Sequence, residues 1–394
     1  MWRLGFFFHE TAFGLLSVFI PLYVVTLGGS LFDIGIMTSV ALFSAIPASL
    51  FWGYICDRTR RYKLYILLSF ISAAIFLYLF TFTTSISLFT ILYVIMATLH
   101  GAHEAPKNVL IAEHYSREDW EKSYASYEGF TEIGWLLGLL LGFLVSILGF
   151  NSNSTLLLCS GLNLIAFILS IFLVTDPMLI FERRLVSIEK KIDYTSRGVW
   201  AASKVLDGTP LREKFRGESF LAFAVGIVLF SLASSIFFTP LPIFFSQQLA
   251  LPTSMVFVIY MLNSGGAVAG YFFARNRTIS TEERVQMRRT VLFRSALVFL
   301  LVAFIQVAIY RTLFVGAILV LMGFAYALYY VFMISLSMEL IPAGRTGIFD
   351  VLVGLGAACG SFLGPLLAET LGFLPQFLIA SAIFFLAYVA LRSL

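Results

Sequence analysis

Three clusters of ionisable side chains lie inside otherwise apolar stretches of this 394-residue chain. The first carries His100, His103, Glu104 and Lys107 at i, i+3, i+4 and i+7, which is one face of a helix. The second carries Tyr127, Glu128, Thr131, Glu132 and Trp135 on a comparable stripe. The third is His9-Glu10 near the start of the chain. Groups of this kind pick up and release protons, because withdrawing water favours a neutral carboxyl and imidazole titrates near neutrality. Glu10, His100, His103, Glu104 and Glu132 are therefore candidates for a protonation cluster, with structural hydrogen bonding and direct ligand contact as the competing roles. Counting inward along two antiparallel stretches sets Lys107 level with Glu128, and His103 or Glu104 opposite Glu132. A Lys107–Glu128 ion pair is expected, as a device that lets both charges be buried.

Several other chemistries fail on spacing. His9-Glu10-Thr-Ala-Phe13 begins like a zinc-protease HExxH, but Phe13 stands where the second histidine is required. His100, His103 and Glu104 together with Glu10 are a conceivable transition-metal set, yet spacing alone fixes no geometry, and no metal or other cofactor is expected. No phosphate-cradling glycine loop ending in Gly-Lys-Ser/Thr is present to hold a nucleotide. Cys56, Cys159 and Cys359 are far apart in mostly apolar runs and read as small buried hydrophobes rather than a disulfide framework. No catalytic constellation of an enzyme emerges.

The elements that must position these groups are set by composition. Hydrophobic residues make up 60% and charged residues 12% of the chain, with a mean hydropathy of +0.94. Lipid must then be the solvent for most of it. The apolar runs are continuous rather than alternating, which selects helices of roughly 20 residues over a barrel. About twelve spans are predicted, near 4–27, 33–56, 64–82, 87–111, 124–148, 154–175, 219–246, 252–274, 290–309, 312–337, 346–369 and 372–392. The first run starts almost at once with no basic leader, and is expected to be retained as an anchor. A basic polar stretch, 176–218, divides the chain into six-helix bundles at 1–175 and 219–394, and 186–206 within it reads as a short amphipathic helix. The linker is expected to lie against anionic lipid headgroups rather than to bind nucleic acid. Lys and Arg crowd the connections after even-numbered spans, while the opposite connections offer only Arg311. Both termini are thus expected to be cytoplasmic.

Two passages recur between the halves. Gly53-Tyr-Ile-Cys-Asp57-Arg58 follows span two and Gly270-Tyr-Phe-Phe-Ala274-Arg275 follows span eight. Gly134, Gly138 and Gly142 in span five are matched by Gly356, Gly360 and Gly364 in span eleven. GxxxG by itself is a common packing signal, but its recurrence in register with the first pair points to repeated bundles related by pseudo-two-fold symmetry, with a path between them.

The passage Gly53-Tyr-Ile-Cys-Asp57-Arg58-Thr-Arg60-Arg61-Tyr-Lys63 resembles the loop signature Gly-x-x-x-Asp-Arg-x-Gly-Arg-Arg/Lys of the major facilitator superfamily, with Arg60 at the glycine position. Span count, linker position and topology extend the resemblance over the whole chain. Two other family patterns are partial: Ala97 sits where span four normally has arginine, and Leu139 replaces the proline of the antiporter motif in span five. The resemblance implies an all-α membrane fold of two six-helix bundles, alternating access, and a cavity lined by helices 1, 4, 7 and 10. It also implies a cytoplasmic gate in which Gly53, Asp57, Arg58 and Arg61 meet Asp350 at the start of helix 11.

In the C-terminal half the polar groups are Asn263, Ser264, Gln306, Tyr326, Tyr329 and Tyr330. Amides and phenols suit a solute with apolar surface and a few hydrogen bonds, so Asn263, Tyr326, Tyr329, Tyr330 and His9 are candidate cavity residues. Tyrosines in membrane helices also serve as interfacial anchors. The function expected is secondary transport of a small organic solute, coupled to protons, by a monomer in the plasma membrane. A transporter-shaped receptor or assembly subunit without turnover, and a lipid flippase, remain open alternatives.

Overall fold

The computed structural model describes residues 2–114, 120–176, 217–275, 283–306, 311–340 and 347–392. The linker at 177–216, with its expected helix at 186–206, lies outside the described residues.

Twelve helices are long and apolar enough to cross a membrane. They are α1 (Arg3–Thr26), α2 (Leu31–Thr59), α3 (Tyr62–Phe80), α4 (Ile86–His100, resuming as Glu104–His114), α5 (Trp120–Ile147) and α6 (Ser152–Leu173). The second set is α7 (Gly217–Phe238), α8 (Thr253–Arg275), α9 (Glu283–Gln306), α10 (Arg311–Leu340), α11 (Gly347–Leu371) and α12 (Phe373–Leu391). Each coincides with an expected span, because a run of about 20 apolar residues in lipid must satisfy its backbone internally. Large side chains left bare, such as Phe172, Phe82 and Leu221, are what a lipid-facing surface requires. The chain is a multi-pass integral membrane protein.

Helix ends follow local chemistry. Ser30 and Asp33 form a capping box at the start of α2, with Ser30 N donating to Asp33 Oδ2 at 2.8 Å. At the other end of α2, Arg60 closes the helix in the left-handed region (φ 56°), its N–H donating to the Cys56 carbonyl at 2.8 Å. The turn for which the family uses glycine is therefore kept, at the steric cost of a Cβ in that region. Beyond Phe238, α7 breaks at Pro240 and continues as a short turn, Leu241–Ile243, and a π-helical turn, Phe244–Gln248.

Packing repeats between the two sets. In the first, α1 meets α5 and α6, α3 meets α4 and α6, and α2 meets α4; in the second, α7 meets α11 and α12, α9 meets α10 and α12, and α8 meets α10. The glycine ladders serve this symmetry. A Cβ on Gly138 of α5 would strike the Thr11 carbonyl of α1, and one on Gly360 of α11 would strike the Leu232 carbonyl of α7. The other repeated pair is not equivalent in packing, since Gly270 lies hard against Phe324 and Ala327 while nothing approaches Gly53.

Two seams join the sets, α2 with α11 and α5 with α8. At the end of the bundle away from the termini they close tightly: Phe32 N donates to Glu369 Oε2 at 2.7 Å, Gly35 abuts Pro365, and Gly142 abuts the Phe257 ring. Ile243 of the second set is buried among side chains of the first there. Glu104, Tyr326 and Asp350, each of which keeps part of its surface accessible, lie away from that closed end.

Candidate functional site

The fourth span is not one continuous helix. Gly101–His103 is a 3-10 turn, and Glu104 N donates to Gly101 O rather than to the His100 carbonyl four residues back. That carbonyl instead accepts from Ser69 Oγ (3.0 Å) and from the Nδ1 of His103 (2.7 Å). Pro106, with no N–H to offer Ala102, helps to permit the break. Tightening the turn swings His100 and His103 toward α1 and α3 while Glu104 and Lys107 start the next helical segment.

His9 of α1 completes the cluster. It is fully buried, its Nδ1 donating to Asn163 Oδ1 of α6 at 2.6 Å and its Nε2 facing His100 Nδ1 at 3.2 Å. The His9 ring sits between Phe13 and Phe70. The expectation that His9 lines a cavity is therefore corrected: α1 turns this side chain into the first bundle, where Asn163 supplies the acceptor. The three imidazoles each offer a ring nitrogen within 4.8 Å of the others, so His9, His100 and His103 are the described side chains best grouped to hold a metal ion.

The hydrogen-bond pattern at His103 has a consequence for protons. Its Nδ1 must carry hydrogen, because it faces a carbonyl oxygen, and its Nε2 lies 3.2 Å from Glu104 Oε1. An imidazole nitrogen facing a carboxyl oxygen holds only if one proton sits between them, on the ring or on the acid. Glu104 keeps 44% of its side chain exposed, so this shared proton stands at the accessible face, and His103 behind it is buried.

Lys107 Nζ stands 2.5 Å from Glu104 Oε2. The expected pairing with Glu128 is thus replaced by a partner three residues back on the same helix, which needs no precise distance between helices. Glu128 remains within electrostatic reach of Lys107, as does Glu10, and Glu10 also senses Glu132. Glu132 accepts from Ser264 Oγ at 2.6 Å, a hydrogen bond across the α5–α8 seam. Of the five candidate protonation residues, His100, His103 and Glu104 are in contact through the turn, Glu10 is within charge range, and Glu132 is engaged with the other set.

The C-terminal candidates divide. Asn263 Nδ2 donates to the Leu319 carbonyl at 2.8 Å and so ties α8 to α10. Tyr329 is buried, its ring stacked on Phe230, and it does not line an accessible face. Tyr326 and Tyr330 stack on each other at 5.9 Å, with Tyr326 39% exposed and Tyr330 partly so. Helical phase explains the split: 329 and 330 flank 326 on opposite sides, and the side that carries 329 packs on Phe230. Asp350 is exposed and within electrostatic reach of Glu104 and Lys107. In the gate motif Arg58 and Arg61 are exposed and Arg58 Nη1 donates to the Tyr54 hydroxyl at 3.2 Å, whereas the Asp57 side chain lies outside the described residues.

Sequence reasoning overlooked two side chains of importance. Asn163, a lone amide in an apolar run, orients His9. Arg294, inside the run of α9, is fully buried among Phe230, Phe238, Tyr326 and Phe384. An arginine at such a depth costs roughly 2.5–3.5 kcal/mol to insert, which was a readable signal. Its nearness to the Arg288-Arg289 loop cations hid it.

The profile described as Major Facilitator Superfamily matches residues 4–349. Among curated proteins, the multidrug resistance protein MdtG of Rahnella sp. (strain Y9602) is 30% identical over 209 residues, 51% of this chain and 48% of that protein. MdtG of Serratia proteamaculans (strain 568) is 32% identical over the same length and coverage. The matched region thus spans about half the length of these relatives. Among solved structures, a point mutant of the nucleoside transporter NupG aligns with a TM-score of 0.70 at 14% identity, covering 99% of this chain and 98% of that one. The human organic anion transporter MFSD10 aligns at 0.65 and 16% identity, covering 99% and 97%. Twelve helices in two sets with repeated packing, the Gly53–Lys63 signature and a profile match over most of its length agree: this chain belongs to the Major Facilitator Superfamily.

Proposed function

We propose that the chain is a secondary transporter that moves a small organic solute across the plasma membrane by alternating access, with movement linked to protons. The observation that carries the proton link is the His103–Glu104 pair, one proton shared between a buried imidazole and an exposed carboxyl. A solute or a change of access that alters the water around Glu104 changes which group holds that proton, while Lys107 engages the other carboxyl oxygen. Proton occupancy and conformation are then coupled in both directions.

Alternating access is supported by two long seams, α2 with α11 and α5 with α8, closed at the end remote from the termini, with Glu104, Asp350 and Tyr326 away from that end. With both termini cytoplasmic, as the basic connections favour, this arrangement is inward-facing. The multidrug name of the bacterial relatives and the nucleoside and organic-anion names of the structural neighbours support a small organic solute. Tyr326 and Tyr330 supply aromatic faces and hydroxyls for it.

The test is proton movement in proteoliposomes loaded with a pH dye and offered cationic, neutral and anionic solutes. One solute class is expected to drive proton flux, and Glu104→Gln to abolish that flux while solute binding persists. Solute crossing without proton flux in the unmodified protein sinks the coupling; no crossing of any solute sinks transport itself.

A further inference from the structure

The second helix set contains a buried group that transport by the Glu104 site does not use. Arg294 has no exposed surface, and none of its three guanidinium nitrogens has a hydrogen-bond partner. Around it stand the rings of Phe230, Phe384, Tyr326 and Phe238, with centroids 5.0, 5.2, 5.3 and 5.8 Å from the guanidinium carbon. Ring faces attract the cation but leave its N–H groups without a lone pair to bond.

Two other polar atoms nearby are also buried without partners. One is the Tyr329 hydroxyl, whose ring stacks on Phe230 and which lies within electrostatic reach of Arg294. The other is Ser234 Oγ, on α7 one turn from both Phe230 and Phe238. No carboxylate lies along the stretches that build the cage, because 220–248, 284–306, 311–337 and 373–391 contain no Asp or Glu. A buried guanidinium with three unbonded nitrogens, beside two unpartnered hydroxyls and with no carboxylate along those stretches, is suited to an anionic acceptor from outside the chain.

We propose that Arg294, Tyr329 and Ser234 form a monoanion subsite within the C-terminal helix set, occupied either by the carboxylate of a flat aromatic solute or by a halide ion. The guanidinium provides charge and paired donors, the two hydroxyls complete the shell, and the rings stack on an aromatic body. Tyr326 is the cage member that reaches the accessible face, so rotation of its ring is the entry route. The subsite rests on the transport reading only in taking the organic anion as a solute; binding there needs no transport, and the test reads binding alone.

The full-length protein, purified in a buffer free of halide and carboxylate, is titrated with sodium benzoate and separately with sodium chloride. Heat of binding and melting temperature are followed for the unmodified protein, Arg294→Gln and Tyr329→Phe. Saturable binding of benzoate that weakens about tenfold or more in Arg294→Gln and severalfold in Tyr329→Phe supports the subsite with an organic anion as occupant. The same dependence seen with chloride supports it with a halide as occupant. Equal affinity in all three proteins, or no saturable binding of either anion to the unmodified protein, overturns it. Tyr329→Phe keeps the ring stack and the charge, so it decides the matter even where Arg294→Gln does not fold.

Discussion

The interiors of the two helix sets solve the same problem in opposite ways. Both sets use the same helix contacts, and both bury basic side chains among aromatic rings. In the first, His9, His100 and His103 are each tied to a neighbour: His9 to Asn163 and His100, and His103 to Ser69, the His100 carbonyl and Glu104. That line of bonds runs from the bundle interior to an exposed carboxyl. In the second, Arg294, Tyr329 and Ser234 are buried with no partner. The imidazoles of one interior are bonded to their surroundings with an outlet to the accessible face; the guanidinium of the other awaits an acceptor. Repeated architecture thus fixes the scaffold and leaves the chemistry of each half free to diverge.

The comparison breaks first if the shared scaffold is not shared. Gly138→Val and Gly360→Val each drive a side chain into a backbone carbonyl of the helix opposite. Both are expected to yield no monodisperse protein on size exclusion. Tolerance of one and not the other would show that α1–α5 and α7–α11 are not equivalent.

Next in size is a difference of sign. Asn163→Leu leaves the Nδ1 of His9 without its acceptor and is expected to lower stability by about 1–3 kcal/mol. Arg294→Met removes an unpaired buried charge, and in anion-free buffer is expected to leave stability unchanged or raise it by about 1–4 kcal/mol. Thermal unfolding in detergent checks both, and loss of stability in Arg294→Met would mean that the ring contacts alone satisfy the arginine.

Ser264→Ala removes one hydrogen bond to Glu132 across the α5–α8 seam. A loss of about 1.5–3 kcal/mol is expected, read as faster labelling of a cysteine placed along the seam. Unchanged labelling would show that helix packing alone holds the sets together. The smallest effect is expected at Arg60→Gly, where relief of the left-handed conformation (φ 56°) raises stability by about 1 kcal/mol. A fall in melting temperature there would mean that the Arg60 side chain makes a compensating contact.

Sequence alone determined the twelve spans, the internal repeat and the family signature. The reason is physical: whether twenty residues cross a bilayer depends on their own hydropathy and length, and glycines at every fourth position make a close-packing edge wherever the helix lies. It also picked out His100, His103, Glu104 and Lys107, because charges in apolar runs are conspicuous. Tertiary structure decided how these side chains are used. The rotation of each helix about its axis is set by packing against neighbours. It buried His9 beside Asn163, 154 positions away, and packed Tyr329 on Phe230 while Tyr326 stayed partly exposed. The break at Gly101–His103 arises because a side chain and Ser69 of another helix take the His100 carbonyl, which no local pattern announces. Lys107 chose Glu104 over Glu128 for a related reason, since a contact within one helix is assured by its geometry while one between helices waits on their spacing. Arg294 was legible as a charge out of place; that rings surround it and none of its nitrogens finds a partner could be known only once four helices had met.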